Sequence, residues 1–110
     1  MGVTDNQYPY PERLGSAITA NSQLPSASGT QWAGGSGHLS IFGTFDTSSS
    51  QLQVKDPESD SSDWVDVGAV VTEKAMLAFT LPEGVLVRVD LSSVGGSTSL
   101  DFNLIYNIKV

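Results

Sequence analysis

Three groups of residues in this chain are of types that do chemistry. The single histidine, His38, follows Gly35-Ser36-Gly37, so a hydroxyl and an imidazole stand two places apart. A serine beside a general base is the start of acyl-transfer chemistry. However, the G-x-S-x-G elbow that exposes such a serine is absent, and a carboxylate would still have to orient the ring. His38 therefore reads as a surface or strand-edge histidine after a glycine turn. The second group is the acidic run DPESDSSD at residues 56–63. Carboxylates at alternate positions can converge on a hard cation such as Ca²⁺, which takes about six to eight oxygens. The EF-hand order fails: Glu58 holds the second ligand place, Ser61 stands where the turn glycine belongs, and Val67 replaces the bidentate glutamate. A solvated loop that discourages aggregation is the simpler reading, and no metal or other cofactor is expected. The third group is aromatic. Tyr8, Tyr10, Trp32 and Trp64 could stack on sugar rings where exposed. Trp64 lies in a strand pattern and is expected in the core, whereas Trp32, in a glycine-rich stretch, is the better candidate for contact with another molecule. Nothing pairs two carboxylates as a glycosidase requires. These residues do not specify an enzyme.

The elements that would position them are short strands. In residues 75–91, AMLAFTLPEGVLVRVDL, the side chains of Ala75, Leu77, Phe79 and Leu81 share one face. Val85, Val87, Val89 and Leu91 do the same in the second arm, with Arg88 and Asp90 opposite. Pro82 and Gly84 suit a tight turn between the arms, which predicts a β-hairpin. In HLSIFGTFD, Leu39, Ile41, Gly43 and Phe45 alternate with His38, Ser40, Phe42 and Thr44. Leu52 and Val54 point inward from a shorter strand. The longest alternation closes the chain, with Leu100, Phe102, Leu104, Tyr106, Ile108 and Val110 set against Asp101, Asn103, Ile105, Asn107 and Lys109. No stretch has a helical period longer than a turn. The predicted fold is all-β: a small antiparallel β-sandwich or jelly-roll-like barrel of about six to eight short strands, with an extended N-terminal arm.

The arm is assigned to residues 1–37 and the sandwich to residues 38–110. The arm is rich in Gly, Ser and Pro and has too little apolar surface to offset its own ordering entropy. It nevertheless carries Tyr8, Tyr10, Leu14, Ile18, Leu24 and Trp32, spaced like anchors that order on a neighbouring subunit. Deleting residues 1–31 is then expected to leave a folded sandwich. Phe42 and Ile105 are apolar residues on otherwise polar strand faces, which marks them as further contacts.

The chain has 110 residues, enough for one core. Twelve acidic against five basic residues give a net charge of −7, which argues against a nucleic-acid backbone or an anionic membrane as partner. No cysteine is present, so the fold holds without disulfides. No apolar run approaches the ~18 residues of a membrane span, and the polar N-terminus does not read as a signal peptide, so synthesis in the cytoplasm is expected.

Several short motifs resemble those of small virion proteins of tailed bacteriophages, of the head decoration (cement) type. They are Trp32-Ala33-Gly34-Gly35, Gly43-Thr44-Phe45, Leu52-Gln53-Val54, Asp56-Pro57, Trp64-Val65-Asp66-Val67-Gly68, residues 79–84 (FTLPEG) and Val87-Arg88-Val89. The likeness spans about residues 32–106 and is one of strand punctuation rather than of catalytic residues. It departs from the pattern after Asp56-Pro57, where a longer stretch replaces the usual Asp-Gly turn. The resemblance implies a structural protein of the capsid surface that binds the major capsid protein as a homo-oligomer, commonly a trimer, and strengthens the head. Tyr8, Tyr10, Leu14, Ile18, Trp32, Phe42 and Ile105 would then be the capsid or partner contacts. The alternatives are another virion component (fibre, tail or neck domain) or a carbohydrate-binding, adhesive module.

Overall fold

The period-two patterns become strands in the computed structural model, which describes residues 12–60 and 62–106. In chain order these are β1 (Glu12–Ile18), β2 (Ser22–Leu24), β3 (Thr30–Gln31), β4 (Gly35–Thr44), β5 (Ser49–Lys55), β6 (Val65–Val71), β7 (Ala75–Leu81), β8 (Leu86–Ser92) and β9 (Ser99–Tyr106). They form two antiparallel sheets. The front sheet runs β1-β9-β4-β7 and the back sheet β2-β8-β5-β6, with β3 also paired to β8. β2 lies along Val89 to Leu91 of β8, and β3 along Leu86 and Val87, so the two short strands share one position in the sheet. Counted that way, the strands fill eight positions. Every connection then crosses between the sheets except the β5–β6 hairpin. This is the strand order of a jelly roll, a two-sheet all-β sandwich. Among the described residues no helix is long and apolar enough to cross a membrane.

The predicted alternation lines the space between the sheets. Leu39, Ile41, Leu100, Phe102 and Leu104 of the front sheet meet Leu52, Val87, Val89 and Leu91 of the back sheet, all fully buried. Burying such a side chain stabilises the fold by about 1.5–3 kcal/mol, and this repeated term is what holds a chain without cysteines together.

Two expectations are corrected here. Residues 75–91 are two strands but not a hairpin, because β7 belongs to the front sheet and β8 to the back sheet. Residues 82–85 are a corner that carries the chain across the core. A hairpin and a corner give the same alternation, since each arm turns its apolar side inward; only the partner strands distinguish them. The second correction concerns the arm. Residues 12–37 supply β1, β2, β3 and the start of β4, and the expected boundary at residue 37 falls inside β4. β1 completes the edge of the front sheet beside β9. Leu14, Leu24 and Trp32 enter the core, and Ile18 packs against it. Removing residues 1–31 would therefore strip an edge from each sheet and expose apolar core, rather than leave an intact sandwich. Tyr8 and Tyr10 lie outside the described residues.

Corners close both ends of the sandwich. At one end Trp32 straps the β7–β8 corner: its N–H donates to the Val85 carbonyl at 2.8 Å, and the Gly84 N–H donates to its carbonyl at 2.8 Å. The indole N–H donates to the Gly35 carbonyl at 3.1 Å, and the ring meets Phe79 at 4.9 Å between centroids. Gly37 must lack a side chain, because a Cβ there would lie 2.6 Å from the indole edge and 2.6 Å from the Ile105 carbonyl. At the other end the Phe45 carbonyl accepts from the Ser48 N–H (2.8 Å), the Ser48 hydroxyl (2.6 Å) and the Thr98 hydroxyl (2.9 Å). Asp46 Oδ2 accepts the Ser97 N–H at 3.1 Å, and Asn21 Oδ1 accepts the Val94 N–H at 3.0 Å. Three crossovers are thus joined side by side.

Trp32→Ala removes the plug and its aromatic contact while keeping the backbone straps, so unfolding in urea is expected to show a loss of about 3–5 kcal/mol. An unchanged midpoint would mean that the corner holds without the ring.

Candidate functional site

The two outer faces of the sandwich differ in chemistry. On the back sheet, polar side chains bond across strands. Gln23 Nε2 donates to Asp90 Oδ1 at 2.9 Å, Gln53 Nε2 to Asp66 Oδ1 at 3.0 Å, and Arg88 Nε to Gln53 Oε1 at 2.8 Å. This ladder satisfies its groups locally. On the front sheet, the central strand β4 and the edge strand β7 read GSGHLSIFGT and AMLAFTL, with no carboxylate, lysine or arginine in either.

Register sets the pattern of that front face. Met76 lies opposite Ser40, and Ser40 opposite Asn103; Ala78 lies opposite His38, and His38 opposite Ile105. Phe42 is two residues along β4 from Ser40, opposite Asp101. Because outward side chains recur every second residue, Phe42, Met76, Ala78 and Ile105 share one face around Ser40 and His38. Phe42 is 45% exposed and Met76 53%, among the few large apolar residues of the described chain that face solvent. Ser40 at the centre is buried all the same, overhung by larger neighbours. Asp101 borders the patch, and its Oδ1 is turned to the Ala17 N–H at 2.8 Å.

The expected contact residues separate into three sets. Phe42 and Ile105 fall together on the front face. Leu14, Ile18 and Trp32 do not offer contact surface: Leu14 and Trp32 are enclosed in the core, Trp32 with 0% exposure, and Ile18 packs against it. Tyr8 and Tyr10 remain outside the described residues. The roles of the two tryptophans are exchanged relative to expectation. Trp64, expected in the core, lies on the outer side of the back sheet, with the Arg88 guanidinium 4.2 Å from its ring centre. Trp64 precedes β6 rather than lying within it, so the strand alternation did not govern its direction. Met76 and Ala78 were missed as members of the front face. Their signal was that β7 is apolar on both sides, while only one side was assigned to the core.

The other chemical candidates resolve locally. Ser36 Oγ pairs with Thr80 Oγ1 at 3.0 Å across β4 and β7, and its strand neighbour His38 is half-buried. In the loop at residues 56–63, Asp56 Oδ1 accepts the Glu58 N–H at 2.9 Å and Asp63 Oδ2 accepts the Asp60 N–H at 3.2 Å. The first is an Asx-turn and the second reaches back three residues, so the loop folds on itself. Among the described residues no group of three or more carboxylate or histidine side chains is placed to hold a metal ion. No protein-family model, curated protein or solved structure matches this chain.

Because the front-face apolar residues are not part of the core, replacing both Phe42 and Met76 with serine is expected to change unfolding free energy by no more than about 1 kcal/mol. A loss as large as that of Trp32→Ala would show that the face is an internal surface of the monomer.

Proposed function

We propose that this chain is a structural virion protein of the head decoration type, which binds the outer surface of an assembled capsid as an oligomer and stabilises the head. Its partners would be the major capsid protein and further copies of itself, with a trimer as the working stoichiometry. The observation that carries this reading is the apolar patch that β4 and β7 turn outward on the front face, bordered by Asp101 of β9. In a chain with a net charge of −7, strands β4 and β7 turn Phe42, Met76 and Ala78 outward without a single carboxylate, lysine or arginine on either strand. A lone molecule gains nothing from such a face, whereas burial against a shell or a sibling removes its apolar area from water.

The fold is compatible with this role. Jelly rolls recur in viral capsid proteins and also in lectins, so the fold by itself does not choose between them. The crossovers tied at each end make a stiff body, which suits a clamp that shares load between capsid subunits. Tyr8 and Tyr10, which lie outside the described residues, would supply further contacts. Several weak contacts per copy, multiplied across an oligomer, would give tight binding to a repetitive surface.

Co-sedimentation with capsids of the virus that encodes the chain tests the proposal. The wild type is expected to pellet with shells, and Phe42→Asp together with Met76→Asp is expected to stay in the supernatant while keeping a wild-type circular dichroism spectrum. Undiminished pelleting of that variant would remove the front face from the interface. Failure of the wild type to pellet would remove the proposal itself.

A further inference from the structure

On the outer side of the back sheet lies a hollow of about 500 Å³, whose lining includes Ser28, Lys55, Ser59, Trp64, Leu86 and Arg88. Lys55 is only 8% exposed, yet its ammonium is held entirely by neutral acceptors, the carbonyls of Asp56 at 3.1 Å and Ser59 at 2.8 Å. Arg88 is held in the same manner. Its Nε donates to Gln53 Oε1 and its Nη1 to the Ala27 carbonyl, both at 2.8 Å, and its plane lies over Trp64. Among the described residues neither cation has a carboxylate partner, although the chain carries twelve acidic side chains. Burying positive charge without a counter-charge is costly, and a bound anion offsets that cost. The guanidinium has five donors, and its two protein bonds leave others for a bidentate acceptor.

We propose that this hollow binds an acidic sugar, a pyranose ring carrying a carboxylate. The cations select the carboxylate. Leu86 and the part of Trp64 that Arg88 leaves uncovered supply the apolar wall for the carbon face of a sugar ring, and the hydroxyls of Ser28 and Ser59 suit its hydroxyl groups. The volume is within the range of about 300–1,000 Å³ typical of small-molecule sites, larger than a simple anion fills. Gly29 lets the β2–β3 loop pack against one side of the hollow: with φ at +75°, its backbone lies so near that a Cβ would sit 2.7 Å from the Trp64 ring and 2.6 Å from the Val87 carbonyl. The site is on the sheet opposite the front face, so it stands or falls independently of the capsid proposal.

The test is a titration of the full-length, ¹⁵N-labelled chain with galacturonic, glucuronic and N-acetylneuraminic acids, with galactose as the neutral control and acetate as the free-anion control. At least one acidic sugar is expected to bind saturably, shifting the Trp64 indole N–H resonance. Galactose and acetate are expected to bind at least about tenfold more weakly, the equivalent of one lost charge-assisted contact. Arg88→Gln is expected to weaken the acidic sugar by at least about tenfold. Trp64→Ala, on the exposed side of the sheet, is expected to weaken it as well while leaving the amide shift dispersion of the fold intact. No saturable binding by any of the three acids would overturn the proposal. So would equal binding of acetate, which would make this a simple anion site, or equal binding of galactose, which would leave the cations without a role. Tighter binding of a glutamate-rich peptide than of any sugar would assign the hollow to a protein partner instead.

Discussion

The corner around Trp32 is the constraint on which the rest of the molecule depends. A jelly roll needs pairs of strands to leave one sheet together and enter the other together, and each such crossing releases backbone groups from sheet pairing. Here β3 passes into β4 beside the passage of β7 into β8, and Trp32 spends both its backbone N–H and its carbonyl on the neighbouring corner. Its ring fills the space that opens where the sheets part, resting on Phe79 and on the bare backbone of Gly37. One residue thus satisfies polar groups and excludes water at the same place. A polar group buried without a partner costs about as much as a lost hydrogen bond, so the strap and the plug reinforce each other. The opposite end uses hydroxyls and carboxylates for the same purpose, centred on the Phe45 carbonyl.

Because the corners fix both sheets, the outer faces are free to diverge. At β8 and β5 the back sheet follows the usual rule for a wetted sheet, with glutamine, aspartate and arginine joined across strands, while its edge strand β6 exposes Val65 and Val70. The front sheet does not. Its edge strand β7 is apolar on both sides, and Phe42 and Ile105 interrupt the polar outer sides of β4 and β9, an approach to the composition of strands covered on both faces. Covered faces and wet faces follow different composition rules, and the patch of Phe42, Met76, Ala78 and Ile105 obeys the first while lying at the surface of a single chain. That mismatch is the physical basis for assigning it a partner.

Charge is distributed with similar asymmetry. Acidic side chains occupy corners, the β5–β6 loop and outward positions of β6, β8 and β9, several of them capping backbone N–H groups. Of the basic residues, Lys55 and Arg88 are drawn to one hollow and held there by carbonyl and amide oxygens rather than by carboxylates. Neutral acceptors orient a cation without cancelling its charge. A molecule that is acidic as a whole thus lines one hollow with two cations that no carboxylate contacts among the described residues.

What the sequence determined by itself was local: which residues alternate, where the chain turns, and which side of each strand is apolar. The inward residues of β7 and β8, Leu39 and Ile41 of β4, and Leu100, Phe102 and Leu104 of β9 were legible, as was the absence of helix among the described residues, because a period of two is imposed by the strand backbone and is visible without a partner. Phe42 and Ile105 were also legible as contact candidates, since each breaks the polar side of its own pattern. The tertiary structure alone decided which strands are neighbours. Leu81 and Val85 flank a turn that reads equally well as a hairpin or a corner, and the choice depended on Trp32, about fifty residues earlier. The two tryptophans were exchanged for the same reason. Trp32 sits in a glycine-rich stretch with no periodicity, yet the glycines are what let it approach the backbone and be buried. Trp64 stands beside a clear strand pattern, yet its direction was set by Arg88 across the sheet. Short-range pattern reports the face of a strand, whereas burial depends on long-range partners that the pattern does not contain.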